Sequence, residues 1–260
     1  MKRILRRAVS RIVPRSDIPG LRVLLYHAVD EPHPADRLSL RVSPAAFRSQ
    51  MELLQTEGYQ VVPLKSLLSK GSIDTGRQVA VTFDDGYQSQ RHAAATLEEF
   101  GFSATFFVVM RLLTGDQTGS GYWEKWGHMT WADIRLLADR GFEIGAHSVT
   151  HPRLTQTSPD RRHQEVQGAK SCLEDRLGRP IVSFSYPYGA YNEVVQQIVK
   201  EAGYRLACTS IYGTNRAPWP WFELRRIEIS GADRLVDFRH KLQGKYDWLG
   251  HWQRWSRRYA

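Results

Sequence analysis

A chain of 260 residues with 42% hydrophobic content can bury a substantial core, as one large α/β domain or two small ones. No run of about twenty apolar residues occurs, so no membrane-spanning helix is expected, and two cysteines, Cys172 and Cys208, are too few for a disulfide framework and read as free buried thiols. The net charge of +9 gathers at the ends, with Lys2, Arg3, Arg6, Arg7, Arg11 and Arg15 at the start and Arg254, Arg257 and Arg258 at the finish. Such ends suit an anionic membrane surface or nucleic acid. No nucleic-acid recognition motif accompanies the charge, so no nucleic-acid partner is expected.

The elements alternate along the chain. Arg22-Val23-Leu24-Leu25-Tyr26 reads as a buried first strand, and Ser43-Pro44 opens a helix to about Glu57 with Phe47, Met51 and Leu54 at helical spacing. Val79 to Phe83 is the second strand, followed by a helix from about Tyr87 to Phe100; Ala104 to Val109 is the third strand. The polar, glycine-rich stretch 114–127 has the composition of an active-site loop. Thr130 starts a helix ending at Gly141, and Phe142 to Ala146 is the fourth strand. A long amphipathic helix runs from Ser158-Pro159 to Leu177-Gly178. Strands five to seven are Ile181–Tyr186, Tyr204–Thr209 and Arg226–Ile229, and a last helix spans Asp233 to Leu242. Seven strands alternating with helices predict an α/β barrel with parallel pairing and right-handed crossovers. No long linker interrupts it. The expected division is a basic segment 1–20, a catalytic domain 21–245 and a basic, tryptophan-rich tail 246–260.

Two segments carry the chemistry. Thr82-Phe83-Asp84-Asp85-Gly86 puts adjacent carboxylates after the second strand, and His147-Ser148-Val149-Thr150-His151 puts two imidazoles after the fourth. Either alone has an ordinary reading, a capped turn for the first and a surface pair for the second. Together, one Asp and two His form a three-ligand set for a divalent metal with positions left open, and the second Asp is a ready general base. His27, Asp84, Asp85, His147 and Tyr188 all fall just after predicted strands, where barrels of this kind carry their chemistry. The combination points to a metal-assisted hydrolase.

These motifs, with Phe184-Ser185-Tyr186-Pro187-Tyr188-Gly189, resemble those of the polysaccharide deacetylases of carbohydrate esterase family 4, the group that includes the rhizobial chitooligosaccharide deacetylase. The resemblance runs from about Val23 to about Leu242. It implies a distorted (β/α)7 barrel of the polysaccharide deacetylase type that removes N-acetyl groups from amino sugars in a polysaccharide, oligosaccharide or glycolipid. By the same resemblance Asp85, His147 and His151 hold the metal, zinc by default with cobalt, nickel or iron(II) as alternatives. Asp84 is the base and the backbone N–H of Tyr188 the oxyanion donor. Tyr186, Pro187, Trp123 and Trp126 are the candidate sugar contacts. The i, i+4 spacing of His147 and His151 is expected to place both rings on one side of a helical turn.

Two departures stand out. Many members carry an Arg where this chain has Ser185, and many carry a late His that is missing around Arg225-Arg226-Ile227-Glu228-Ile229. Arg226 is the candidate to orient Asp84 instead. Leu25-Tyr26-His27 looks like the poly-N-acetylglucosamine deacetylase branch and makes His27 the candidate general acid. A metal-dependent amidase acting on a non-sugar C–N bond and a catalytically inactive carbohydrate-binding relative are the alternative readings. The charged N-terminus lacks the apolar core of a signal peptide. The expected location is therefore cytoplasmic, with peripheral contact at the inner membrane face through the basic ends.

Overall fold

The structure, a computed structural model, describes residues 2–13, 20–69, 76, 78–115, 126–250 and 253, with residues 2–6 by backbone alone. In chain order the elements are α1 (Lys2–Ile12), β1 (Arg22–Tyr26), β2 (Ala28–Val29), β3 (Arg41–Val42), α2 (Pro44–Thr56), β4 (Gln60–Val62), β5 (Gln78–Phe83), α3 (Gln90–Glu99) and β6 (Thr105–Val108). They continue with α4 (Trp131–Asp139), β7 (Glu143–Ala146), α5 (Pro159–Leu177), β8 (Ser183–Ser185), α6 (Glu193–Glu201), β9 (Leu206–Cys208), β10 (Ile227–Glu228) and α7 (Leu235–Leu242).

Among the described residues eight parallel strands form one curled sheet, seven in the order β10-β1-β5-β6-β7-β8-β9 and the eighth, β4, beside β5. The approach to β10 closes the ring: Thr209 N–H donates to the Leu224 carbonyl (2.8 Å) and Arg226 N–H to the Ile211 carbonyl (2.9 Å). The barrel is distorted at β5. Its first half pairs with the short β4 at Gln78–Ala80, and only its second half pairs with β6.

Period-two alternation decides what faces the barrel interior. Leu24, Tyr26, Val79, Val81, Phe83, Phe106, Ile144, Phe184 and Ile227 point outward into the core shared with the helices. The opposite phase places Val23, Ala80, Phe107, Leu206, Cys208 and Leu224 inside, where Leu64 and Leu67 plug the lower end. Gly145 belongs to this inner layer. A Cβ there would sit 2.5 Å from the Phe107 ring and 2.7 Å from Ser183 Oγ, so the crowded floor under the site requires glycine.

The helix expected from Tyr87 begins at Gln90, because Tyr87 bridges His128 and Gln88 N–H donates to the Gly127 carbonyl (2.8 Å). β2, β3, β4 and α6 are elements that the hydrophobic runs did not reveal. The core also continues past the expected boundary at 245, since Tyr246 and Leu249 are buried within it. Both cysteines are free; Cys208 is buried as expected, but Cys172 is only half-buried. No helix among the described residues is long and apolar enough to cross a membrane.

Candidate metal centre

Asp84 and Asp85 leave the end of β5, and His147 leaves the end of β7. The alternation that buries Phe83 on the helix side turns Asp84 inward, and a left-handed residue, Asp85 at φ 74°, turns the next carboxylate toward the same mouth. Among the described residues five non-glycine positions have positive φ, and four of them are Asp85, Ser148, His151 and Tyr188. Each costs on the order of 1 kcal/mol or more, a strain that is characteristic of functional sites.

The two histidines do not share a helical turn as expected. Ser148 (φ 65°) and His151 (φ 59°) fold the segment into a left-handed turn, closed by a hydrogen bond from His151 N–H to Ser148 Oγ (2.9 Å). Glu165, buried on α5, braces this loop by accepting from the N–H groups of Val149 (3.0 Å) and Thr150 (2.7 Å) and from the Thr150 hydroxyl.

The result is convergence of three donor atoms. His147 Nε2 and His151 Nε2 are 3.1 Å apart, and each lies 3.5 Å from Asp85 Oδ1. A tetrahedral metal with bonds of 2.0–2.1 Å has donors separated by about 3.3 Å. The acceptor on His147 Nδ1 is the Ser185 carbonyl at 2.7 Å, which fixes the proton there and leaves Nε2 with its lone pair. Burial lowers the His151 pKa well below its usual value and keeps that ring neutral. Two neutral nitrogens and a carboxylate oxygen aimed at one point repel one another unless a cation lies between them, so the set fits a divalent metal.

Asp84 sits beside this set, 3.8 Å from His147 Nε2. Arg226 grips both of its oxygens, Nη1 to Oδ1 and Nη2 to Oδ2, each at 2.7 Å. Ser185 Oγ accepts from Arg226 Nη2 (2.9 Å) and lies 3.2 Å from Asp84 Oδ2. Arg226 is itself held by the Thr209 carbonyl (2.8 Å). Burial alone would raise the Asp84 carboxyl, but the Arg226 guanidinium outweighs it and holds it well below the usual carboxylate range. Among the described residues Asp85 has no such guanidinium clamp, and burial raises it.

The sequence profile of the polysaccharide deacetylase family matches residues 72–207. The chain belongs to the polysaccharide deacetylase family. YxkH of Bacillus subtilis (strain 168), whose name carries the same family term, is 26% identical over 214 residues, covering 81% of this chain and 71% of YxkH. The chitooligosaccharide deacetylase of Azorhizobium caulinodans is 29% identical over 153 residues, 58% of this chain and 63% of that protein. Among solved structures, the Streptococcus pyogenes deacetylase PplD, in complex with acetate, superposes with a TM-score of 0.75 at 26% identity, covering 86% of this chain and 99% of PplD.

Within this polysaccharide deacetylase the remaining expected residues fare differently. His27 follows β1 and is half-buried. It lies within electrostatic reach of Asp85 and Asp84, and its Nδ1 is buried without a hydrogen-bond partner among the described residues. Tyr188 lies in the turn Pro187–Gly189 with its ring 4.6 Å from that of His151 and 46% of its surface exposed. Tyr186 is a correction. It is in the outward phase, fully buried, stacked on Tyr191 and bonded to the Phe222 carbonyl, so it packs rather than meets sugar. Trp126 is a second correction: it is only 8% exposed, with the Arg41 guanidinium 4.4 Å from its ring and Tyr87 5.2 Å away. Pro187 is buried and opens the turn. Trp123 lies outside the described residues.

Sequence reasoning missed Glu165 and Gln90. Gln90 Nε2 donates to the Asp84 carbonyl (2.6 Å) and the His27 carbonyl (2.8 Å), tying the ends of β5 and β1 together. The available signal was a polar residue on the buried face of a helix, as Glu165 is beside Val166, Ala169 and Leu173.

Proposed function

We propose that the chain removes the N-acetyl group from N-acetylated amino sugars, of the N-acetylglucosamine type, in a glycan or glycolipid and releases acetate. The observation that supports this best is an ionised Asp84 clamped beside three convergent metal-donor atoms. A divalent cation bound by Asp85, His147 and His151, zinc by preference for this donor set with cobalt, nickel or iron(II) as substitutes, supplies Lewis acidity that polarises an acyl oxygen and acidifies a water.

The side chains carry the rest. Asp84 accepts the proton of the attacking water. Its two bonds from Arg226 keep it ionised and available as an acceptor. Those bonds also fix its direction, so no reorganisation is needed at the moment of attack. The backbone N–H of Tyr188, beside His151, donates to the oxygen that gains negative charge. His27 delivers a proton to the nitrogen as the C–N bond breaks, because an amine leaves poorly as an anion. Water thus divides between acetate and the freed amino group. The reading includes peripheral contact with an anionic membrane surface on its inner face, supported by the arginine-rich α1; nucleic acid has no part in it.

Acetate release from N-acetylated chitooligosaccharides, before and after chelation, tests the proposal together with the metal content of wild type and His151→Ala. Chelator-sensitive release and loss of about one equivalent of metal in the variant are expected. Release indifferent to chelator, or none from any N-acetylated glycan, would overturn it.

A further inference from the structure

The rim of the metal centre carries an arginine that the proposed reaction does not use. Arg153 follows the ligand His151 by two residues and is exposed. Its guanidinium carbon lies 4.9 Å from the centre of the Tyr188 ring, which in turn is 4.6 Å from the His151 ring. Both positions are held by tight turns. Gln156 N–H donates to the Arg153 carbonyl (2.8 Å), and Gly189 N–H donates to the Tyr186 carbonyl (2.7 Å). Ser210 Oγ donates to the Tyr188 carbonyl (3.2 Å), and the approach is so close that a Cβ on Gly189 would sit 2.1 Å from Ser210 Oγ.

Arg48, Arg140, Arg179, Arg226, Arg234 and Arg239 each reach a carboxylate. Arg153, like Arg176 on the Trp131 ring, makes no ion pair among the described residues and rests on an aromatic face instead. A guanidinium resting on an aromatic face keeps its N–H fork available, and that fork matches a carboxylate or phosphate.

We propose that Arg153, seated on Tyr188, recognises an anionic group next to the scissile acetamide, so that the preferred glycan carries a carboxylate or phosphate beside the N-acetylated sugar. This deepens the deacetylase reading and rests on it. The two sources of charge, an acidic neighbouring sugar and a phosphate at the reducing end, offer the fork the same chemistry.

The test compares acetate release from three substrates: a neutral N-acetylglucosamine oligomer, an oligomer of equal length alternating with a uronic acid, and one with a reducing-end phosphate. Wild type is expected to show a lower KM for one anionic series, and which one it is identifies the source. Arg153→Gln raises that KM by about 10- to 100-fold, the worth of one hydrogen bond to a charged group. It leaves kcat/KM on the neutral oligomer unchanged, and Arg153→Lys recovers part of the loss. Equal turnover of all three by wild type, or an equal loss on all three in Arg153→Gln, would overturn the assignment. Acetate from none of them would instead overturn the deacetylase reading and this inference with it.

Discussion

The Asp84–Arg226 pair is nearly inaccessible to solvent, and its two parallel bonds are each 2.7 Å long. Removing one partner of such a pair leaves a buried charge and costs about 3–5 kcal/mol. The informative variant is therefore Arg226→Lys, which keeps the charge but loses the planar fork. It should fold, retain its metal and lose kcat while KM changes little. Asp84→Asn should lower kcat by about 10²–10⁴ with metal still bound; near-normal turnover in either variant would remove this pair from the reaction. His27 calls for a different comparison. His27→Ala should damage amide hydrolysis far more than hydrolysis of an activated aryl acetate, whose leaving group needs little protonation. An equal loss on both would assign His27 to positioning. At this scale, the acids and histidines were legible because motif and strand end coincide. Arg226 was legible because Ser185 vacates the position of the family arginine. Tyr186 and Trp126 were not, because an aromatic beside a motif reads the same whether its ring faces the mouth or the core. Glu165 and Gln90 escaped because their partners are backbone groups, which leave no trace in a side-chain pattern.

Among the elements, β6, β7 and β8 are joined at their lower ends by one buried carboxylate. Glu143 accepts from Thr105 Oγ1 (2.7 Å), Ser183 Oγ (2.8 Å) and the Lys65 backbone N–H (2.7 Å). It thereby ties three strands to the segment that plugs the barrel floor. Burial outweighs these donors and raises its pKa. A carboxyl raised in the folded state favours folding fully at pH below its unfolded value, and that contribution is lost as pH rises through the folded value. Glu143→Gln cannot ionise. The difference in Tm between variant and wild type should therefore shift in favour of the variant as pH rises from the acid side through the raised Glu143 pKa. A difference that stays constant with pH would show that the carboxyl does not titrate in that range. The strands were readable as apolar runs, yet they came out shorter than expected at β8, β9 and β10, where only two or three residues pair. α6 was overlooked although Val195, Ile198 and Val199 have helical spacing and Asn192 caps it, its side chain accepting from Val195 N–H (2.9 Å). β4 is three residues long and exists because β6 leaves half of β5 unpaired, a fact of topology that no local pattern records.

Over the whole molecule the basic charge is placed rather than spread. α1 docks on α7 through Arg7, whose Nε lies 3.1 Å from Asp237, and through Ser10 Oγ, 3.4 Å from His240 Nδ1. Those contacts use one side of the helix. Ala8, Arg11 and Ile12 are exposed, Ile12 at 81%. On the first turn of α7, Leu235 and Val236 are each 43% exposed beside Arg234, which shares Asp237 with Arg7. The apolar spacing of residues 4–13 was visible in the sequence; which side docks was not, because Asp237 lies more than two hundred residues away. Trp248 packs against the core, while Trp252, Trp255, Arg254, Arg257 and Arg258 lie outside the described residues. A surface of exposed arginine and aliphatic groups suits the interface of an anionic bilayer, where each basic residue contributes about 1 kcal/mol within a screening length of about 8 Å. Wild type should co-sediment with vesicles containing phosphatidylglycerol, less with phosphatidylcholine alone, and be released by high salt. The double substitution Arg11→Glu with Ile12→Ser leaves the Arg7 and Ser10 contacts in place and should weaken co-sedimentation while acetate release from a water-soluble oligomer is unchanged. Negligible binding by wild type, or equal binding by both proteins, would show that α1 serves only to cover α7.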